Sequence, residues 1–259
     1  MNLYLYLDKD TPIHRMDPRA KLFVLLFSFA LPLLNQHPLW VAGAFAVILA
    51  YGAAARSLEN LRRIRQILFF IFIFSTLVWT FFAKGTDVLI WRVSRQSILY
   101  GIGTGLKLDA MIIAGMVFLS TTKNEEISQG LILLGLPYPM AFAFSTALRL
   151  VPTFVGAGAT IAQAQRSRGL DIDSGSFIER VRKYIPLLVP IFLTAIRSSD
   201  GLAMALEGKG FGASTKRTFY LRFKWTARET VVVGLFLALV LANTYLTLTG
   251  RTLIRGLMK

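Results

Sequence analysis

Five long apolar stretches constrain this chain more than any other feature of its sequence. They cover residues 22–34, 39–55, 67–83, 98–122 and 230–249, with few or no charges. A hydrocarbon core about 30 Å thick needs roughly 20 apolar residues in a helix, or about 17 at the short end. Backbone groups in lipid must form their hydrogen bonds internally, so we expect each stretch to be helical. The sequence therefore predicts an all-α membrane protein with about five transmembrane helices.

The first apolar stretch is too short to cross a membrane by itself. We expect its helix to begin near Pro18, which would lengthen it. A secretory signal peptide is the alternative interpretation. Asp8, Asp10 and Asp17 dilute the positive charge that such a peptide carries, and no small-residue cleavage site follows before the next span. We therefore interpret this stretch as a retained span.

Basic residues outnumber acidic ones by 29 to 14, which gives a formal net charge of +15. In a soluble protein this excess would favour nucleic acid as a partner. In a membrane protein Lys and Arg collect on the cytoplasmic side, so we expect no nucleic acid partner here. Fourteen of the basic residues lie between Lys123 and Arg228. The bias predicts a cytoplasmic amino terminus and an outside carboxyl terminus, although Arg251, Arg255 and Lys259 in the tail run against the latter.

The chain then divides into three parts: four transmembrane helices in 1–122, a cytoplasmic helical module in 123–228, and the last span with its tail in 229–259. A short helix opens the module after Lys123, and two long helices with internal prolines follow. We expect these two helices to lie in the cytoplasm against the membrane surface. Their apolar parts, 140–162 and 186–206, are also long enough to cross the membrane, and that alternative stays open.

Catalytic and metal-binding chemistry finds little support. The chain has no cysteine and two isolated histidines, His14 and His37, so we expect no metal site and no catalytic residues. The glycines at 101, 103 and 105 resemble a phosphate loop superficially, but inside a span they favour close helix packing. No GxxxxGK[ST] motif is present, so we expect this chain not to hydrolyse ATP itself.

The fourth span contains two ionisable residues, Lys107 and Asp109. Such residues are costly at membrane depth and face protein or water. Two positions apart on a helix, they point in different directions and do not form a pair. A coupling-ion site at Asp109 is one interpretation, and a buried packing contact is the one we favour.

Both long helices of the cytoplasmic module end in a small corner that combines glycine with a cation. The helix dipole favours a cation at a carboxyl end, and glycine supplies the left-handed cap. That explanation accounts for one such corner, whereas a pair suggests two equivalent acidic sockets on a partner. The corner residues are Arg166, Ser167, Arg168 and Gly169 in the first, and Glu207, Gly208, Lys209, Gly210 and Phe211 in the second.

Three elements together resemble a known family. Asp17-Pro18-Arg19-Ala20-Lys21 is similar to its amino-terminal signature, Arg149 and Pro152 match its R-x-x-P element, and the two corners match its paired Ala-Arg-Gly motifs. The family is the transmembrane T component of energy-coupling-factor (ECF) transporters, the ABC-type importers of vitamins and transition-metal ions in prokaryotes.

The resemblance implies a non-catalytic coupling subunit in a prokaryotic inner membrane. Its partners would be two ABC ATPase subunits, which dock on the corners, and a small S component, which binds the substrate and reorients in the bilayer. ATP and Mg²⁺ would be bound by the ATPases and no cofactor by this chain. Ser167 and Gly208 replace the family's alanines and Lys209 its arginine, so the second contact is expected to be weaker or to fit a different socket.

Three other classes of protein remain as alternatives. A conventional permease or ion-coupled secondary transporter would need its own substrate site, for which Lys107 and Asp109 are the available residues. A membrane-embedded enzyme would need a histidine or carboxylate cluster. A basic module that binds anionic lipid accounts for the charge of 123–228 but does not account for the paired corners.

Overall fold

The structure, a computed structural model, describes residues 6–85, 87–90, 93–171, 174–213, 223–249 and 257–258. The basic tail residues Arg251, Arg255 and Lys259 therefore lie outside the described residues. Within the described residues eight helices follow one another: α1 (Pro18–Leu33), α2 (Pro38–Ala54), α3 (Leu58–Phe82), α4 (Arg95–Thr121), α5 (Asn124–Leu133), α6 (Tyr138–Ser167), α7 (Phe177–Gly208) and α8 (Ala227–Leu248). The predicted all-α class is confirmed.

Four very short strands accompany the helices. They are β1 (Lys84–Gly85), β2 (Val88–Ile90), β3 (Val93–Ser94) and β4 (Leu257–Met258). β1 pairs antiparallel with β4, and β2 pairs antiparallel with β3. The apolar pattern did not predict these strands, because strands of two or three residues carry too few side chains to show an alternation.

The sequence sets several helix ends through local caps. Asp17 accepts a hydrogen bond from the backbone N–H of Arg19, and Pro18 occupies the first helical position, so α1 begins where we expected. Ser94 and Ser97 cap α4 reciprocally, and Thr226 and Glu229 do the same for α8.

In the part of the chain that the structure describes, five helices are long and apolar enough to cross a membrane: α3, α4, α6, α7 and α8. Two of the five predicted spans, α1 and α2, are shorter, with 16 and 17 residues. The two long helices that we assigned to the membrane surface, α6 and α7, qualify by length and composition. A multi-pass membrane protein is confirmed, and the cytoplasmic position of α6 and α7 stays a prediction.

The described chain forms two compact units. The first contains residues 1–136 and 223–259, and the second contains 137–222. The first unit therefore includes α5, which the sequence interpretation grouped with the cytoplasmic module. The second unit consists of α6, α7 and their corners.

Helix α4 lies at the centre of the first unit and packs on α1, α2 and α3. Its glycines make this possible. A Cβ on Gly101 would lie 2.7 Å from the carbonyl oxygen of Thr76 in α3, and one on Gly103 would lie 2.8 Å from that of Gln36. A Cβ on Gly105 would meet the ring of Phe72 at 2.8 Å. The prediction that these glycines serve helix packing is confirmed.

Helix α8 packs beside α1 in the same unit. Phe236 of α8 lies in a buried cluster with Val24 and Leu31 of α1. The side-chain amide of Asn243 donates to the backbone oxygen of Leu31 over 2.8 Å. Because a hydrogen bond to backbone within an apolar interface is costly to break, this contact helps to fix α8 against α1.

The second unit is a helical hairpin. An ideal Cβ on Gly158 in the middle of α6 would lie 3.6 Å from Cδ1 of Ile191 in α7. At the other end, the ring of Phe211, just beyond α7, lies 4.8 Å from that of Phe142 and 5.9 Å from that of Tyr138, centroid to centroid. Helix α7 therefore runs back along α6, and its carboxyl end returns to the beginning of α6.

Candidate functional site

The first corner terminates α6 with a Schellman cap. The backbone N–H of Gly169 donates to the backbone oxygen of Arg166 over 2.9 Å, and that of Leu170 donates to the backbone oxygen of Gln165 over 3.0 Å. Gly169 has φ +89°, which is the left-handed conformation that glycine adopts without steric cost. Arg168 is the C-cap residue, and its side chain is exposed.

The second corner terminates α7 in the same way. The backbone N–H of Gly210 donates to the backbone oxygen of Glu207 over 2.9 Å, and that of Phe211 donates to the backbone oxygen of Leu206 over 2.8 Å. Gly210 has φ +69°, and Lys209 is the exposed C-cap residue. Residue for residue, Lys209 is the counterpart of Arg168 and Gly210 the counterpart of Gly169.

The cation, and not the cap alone, distinguishes these corners. Helix α5 ends in the same hydrogen-bond pattern, with Gly135 at φ +105°. Its C-cap residue is Leu134, which offers no charge. Schellman caps are common, so their geometry indicates no function. Two exposed cations at matching C-cap positions are the informative feature.

The two corners lie at opposite ends of the hairpin. The first follows the last residue of α6, whereas Phe211 of the second packs on residues in the first two turns of α6. Since α6 has 30 residues and a helix rises about 1.5 Å per residue, the two corners are roughly 40 Å apart. One small partner domain cannot contact both points, but a two-subunit partner can.

The remaining predicted corner residues differ in how they are placed. Ser167 and Gly208 are exposed, and the hydroxyl of Ser167 donates to the backbone oxygen of Gln163. Arg166 and Glu207 are also exposed. Phe211 differs from them, because its half-buried ring packs on Tyr138 and Phe142. These two ring contacts lie within the hairpin.

The predicted R-x-x-P element lies in the middle of α6, away from both corners. Arg149 is exposed and Pro152 is half-buried inside the helix. A proline there removes one backbone hydrogen bond and favours a kink. The structure thus places these two residues apart from the corner residues.

The predicted amino-terminal motif lies at the start of α1 and is mostly buried. The Asp17 carboxylate caps α1 and receives two hydrogen bonds from the Arg19 guanidinium, of 3.1 and 3.2 Å. The same guanidinium lies 5.4 Å from the ring centroid of Trp225. Pro18 is buried against Gly130 of α5. The motif therefore contacts segments that are distant from it in sequence.

Lys21 is a buried cation of that motif, with a side chain that is 1% exposed. Its ammonium donates to the backbone oxygens of His14 and Thr121, both over 2.8 Å, and to the Glu126 carboxylate over 2.9 Å. Burial, together with the charge of Lys21, holds the pKa of the His14 imidazole below its ordinary value. The sequence analysis named Lys21 as part of the amino-terminal signature and did not predict this buried role.

Sequence reasoning also missed the partners of the motif. Glu126, near the start of α5, pairs with a lysine 105 positions earlier. Trp225 was not singled out at all. Neither contact follows a periodic pattern, so the only available signal was an acid and an aromatic residue near the ends of the basic module.

The ionisable residues of α4 do not form a site. Among the described residues, no group of three or more His, Cys, Asp or Glu is placed to hold a metal ion. Asp109 is buried, and its Oδ1 has no hydrogen-bond partner within the described chain. The Lys107 ammonium lies 6.0 Å from the ring centroid of Tyr100, on the same helix. The two residues do not converge on a common point.

Comparison with known proteins assigns the chain to a family. The family described as CbiQ, cobalt transport protein, matches residues 9–221. This chain belongs to the CbiQ family. It is 32% identical to the energy-coupling factor transporter transmembrane protein EcfT of Staphylococcus aureus (strain 04-02981) over 258 residues, or 95% of this chain and 96% of the relative.

Other EcfT proteins match over similar lengths. The protein of Heliobacterium modesticaldum is 33% identical over 257 residues, and that of Streptococcus thermophilus is 31% identical over 256 residues. These matches cover 91% and 93% of this chain, and 95% and 96% of the respective relatives. The resemblance inferred from the motifs is confirmed, and this CbiQ-family chain is a transmembrane component of an energy-coupling factor transporter.

Proposed function

We propose that this chain transmits the conformational change of two ATPase subunits to a substrate-binding S component in the same membrane. In this scheme the chain binds neither ATP nor substrate. The two corners hold the ATPases, α6 and α7 act as levers, and the apolar helices contact the S component. The S component reorients and releases a vitamin or a transition-metal ion into the cell.

The pair of equivalent corners at opposite ends of one hairpin carries this proposal. Arg168 and Lys209 are exposed, occupy the same cap position and are roughly 40 Å apart along α6. An ABC ATPase dimer offers two equivalent grooves, one per subunit. The number, chemical match and separation of the corners fit such a partner.

The chemistry of each corner favours an acidic groove. The guanidinium of Arg168 can bind a carboxylate through two parallel hydrogen bonds, whereas the Lys209 ammonium acts as a point charge. Backbone carbonyls at a helix end carry partial negative charge, so a cation there is already well placed. Because Lys209 lacks the planar fork, we expect the second groove to be held less tightly.

The apolar faces of α6 and α7 supply the surface for the membrane side of the mechanism. Val155, Leu188 and Phe192 are among the large apolar side chains that the hairpin exposes. Apolar area of this extent is stable only when lipid or another protein covers it. We assign it to lipid and to the S component.

The test is the association of the ATPases with the membrane subunits after Arg168→Ala. A contact that pairs a desolvated arginine with a carboxylate costs 2 kcal/mol or more when truncated, so we expect ATPase affinity to fall at least about tenfold. Uptake in vesicles should fall in parallel. Arg197→Ala is the matched control, because Arg197 is an exposed arginine of α7 that lies outside both corners. Normal assembly and uptake in the Arg168 variant would refute the proposal.

A further inference from the structure

Four segments of the first unit meet at the start of α1. They are the loop before α1, the end of α4, the first turns of α5 and the beginning of α8. We call this meeting point the joint and define it by Asp17, Arg19, Lys21, Glu126 and Trp225. All of its members belong to the first compact unit.

Lys21 stabilises the part of the joint at which α5 contacts α1, before the chain enters 137–222. Its ammonium bonds to a carbonyl at the end of α4, a carbonyl in the preceding loop and a carboxylate in α5, all within 2.9 Å. Close backbone packing adds to this contact, because a Cβ on Gly130 of α5 would lie 2.9 Å from Cβ of Pro18. Helix α5 is thereby fixed to α1 just before the chain leaves for 137–222.

Arg19 stabilises the part of the joint at which the chain leaves 137–222 and enters α8. Its guanidinium is fixed by Asp17 and lies over the ring of Trp225, in the stretch by which the chain comes back from 137–222. The indole nitrogen of Trp225 donates to the hydroxyl of Thr230 in α8 over 2.7 Å. The returning chain is thus attached to α1 and α8 together.

The chain enters 137–222 from α5 and leaves it through the stretch that contains Trp225. Both of these segments contact the five residues Asp17–Lys21. We propose that Asp17–Lys21 is the mechanical joint through which the hairpin 137–222 acts on the membrane helices, and that Lys21 and Arg19 are positioning residues for coupling. This inference rests on the proposed function, since it needs the ATPases to move the corners.

The buried ammonium explains why the joint is stiff. Displacing α5 from α1 would take the Glu126 carboxylate away from the buried Lys21 ammonium, which is strongly unfavourable in a poorly solvated place. Force that reaches α5 is therefore passed to α1 and α4 and does not bend the connection. An apolar contact of similar area would allow sliding, because it has no fixed direction.

The test uses the reconstituted full complex and three variants: Lys21→Met, Glu126→Gln and Arg19→Gln. We expect the ATPases to remain bound and ATP hydrolysis to persist, while uptake falls about tenfold, a typical size for the loss of a coupling interaction. Arg15→Gln is the matched control, because Arg15 is an exposed arginine of the same segment that pairs with Asp10 outside the joint. Glu126→Gln and Arg19→Gln decide the outcome if the Lys21 variant does not accumulate in the membrane.

A distance measurement separates positioning from general damage. The chain has no cysteine, so spin labels can be placed through Leu26→Cys in α1 and Leu134→Cys after α5, at two exposed positions of the first unit. We expect a narrow distance distribution in the otherwise unaltered chain and a broadened one in Lys21→Met when a non-hydrolysable ATP analogue is bound. Normal uptake in all three variants, or lost uptake with an unchanged distribution, would overturn the inference.

Arg168→Ala distinguishes a failure of the joint from a failure of the proposed function. If that variant keeps its ATPases and its uptake, the proposed function is wrong whatever the joint variants do. If it loses both while Lys21→Met transports normally, the proposed function stands and the joint inference is wrong.

Discussion

At the residue scale, the choice of cation at the second corner has a testable effect. Lys209 sits where a planar guanidinium is expected, on a backbone that matches the Arg168 corner. Arginine at this position restores bidentate binding without changing the charge.

We therefore predict that Lys209→Arg keeps or strengthens ATPase binding, whereas Lys209→Ala weakens it about tenfold. Competition between separately tagged ATPase subunits for the membrane component measures this directly. Equal binding by all three forms would show that Lys209 makes no contact with the ATPases.

At the same scale, Asp109 of α4 can be tested as a coupling-ion site against its interpretation as a buried packing contact. A carboxylate that binds a coupling proton must ionise, and one that binds a coupling cation supplies a negative charge. Its amide cannot ionise and offers a cation only a neutral carbonyl oxygen. A packing residue tolerates the amide because its shape is unchanged.

We predict that Asp109→Asn leaves uptake within about twofold of the parent complex, since a buried carboxyl and its amide have nearly the same volume. Uptake into vesicles at several proton and sodium gradients is the measurement. A large loss with intact ATPase binding would favour the ion-coupled alternative.

At the element scale, the α3–α4 contact depends on close approach of backbones. Gly101→Ala puts a methyl group 2.7 Å from the Thr76 carbonyl oxygen, which forces the helices apart. Gly115→Ala makes the same chemical change on the same helix, but its Cβ meets nothing within 4 Å.

We predict that Gly101→Ala destabilises the protein by about 1–3 kcal/mol, as overpacking does, and that Gly115→Ala does not. Thermal unfolding in detergent, followed by size-exclusion chromatography, compares the two. Equal unfolding temperatures for the two variants would show that α3 moves away from the added methyl group without loss of stability.

The aromatic contact at the end of α7 gives a second element-scale prediction. Phe211 holds the second corner against the start of α6 through Tyr138 and Phe142. Aromatic pairs of this kind contribute about 0.5–1.5 kcal/mol beyond buried area.

We therefore expect Phe211→Ala to weaken the second ATPase contact, because Lys209 would no longer be held in a fixed position. Phe211→Tyr keeps the ring and serves as the control. Cross-linking of each corner to its ATPase would show a loss at the second corner alone, and an equal loss at both would contradict this assignment.

Much of the helical architecture was predictable because its signals are local. The Asp17-Pro18 pair sets the start of α1, and glycines one residue after each cation set the corners. The joint was not predictable, since Lys21 and Glu126 are 105 residues apart and only the fold brings them together. The inward position of Phe211 was missed for the same reason, because its partner Phe142 lies at the far end of the hairpin sequence.

At the scale of the whole molecule, the membrane position of the second unit is the main prediction. The distribution of Lys and Arg along the chain predicts that the turn between α6 and α7 is cytoplasmic. Ser174 lies in that turn and is exposed, and the Lys183 ammonium donates to its backbone oxygen over 2.8 Å.

We predict that a cysteine at Ser174 reacts with a membrane-impermeant maleimide only after the cells are opened. A cysteine at His37, in the loop that we place outside, should react in intact cells. Labelling of the Ser174 variant from outside would instead show that α6 and α7 cross the membrane.

The two-sided grip of Asp17–Lys21 has a consequence for how such proteins diversify. The segments on both sides of 137–222 contact the same short motif of α1. The residues 137–222 therefore form an insertion that is attached to the rest of the chain at a single place. If the proposed function holds, we expect relatives with the same attachment to be able to exchange 137–222, and with it their ATPase partners, while the rest of the chain stays the same. A chimera that carries a relative's 137–222 should then accept that relative's ATPases.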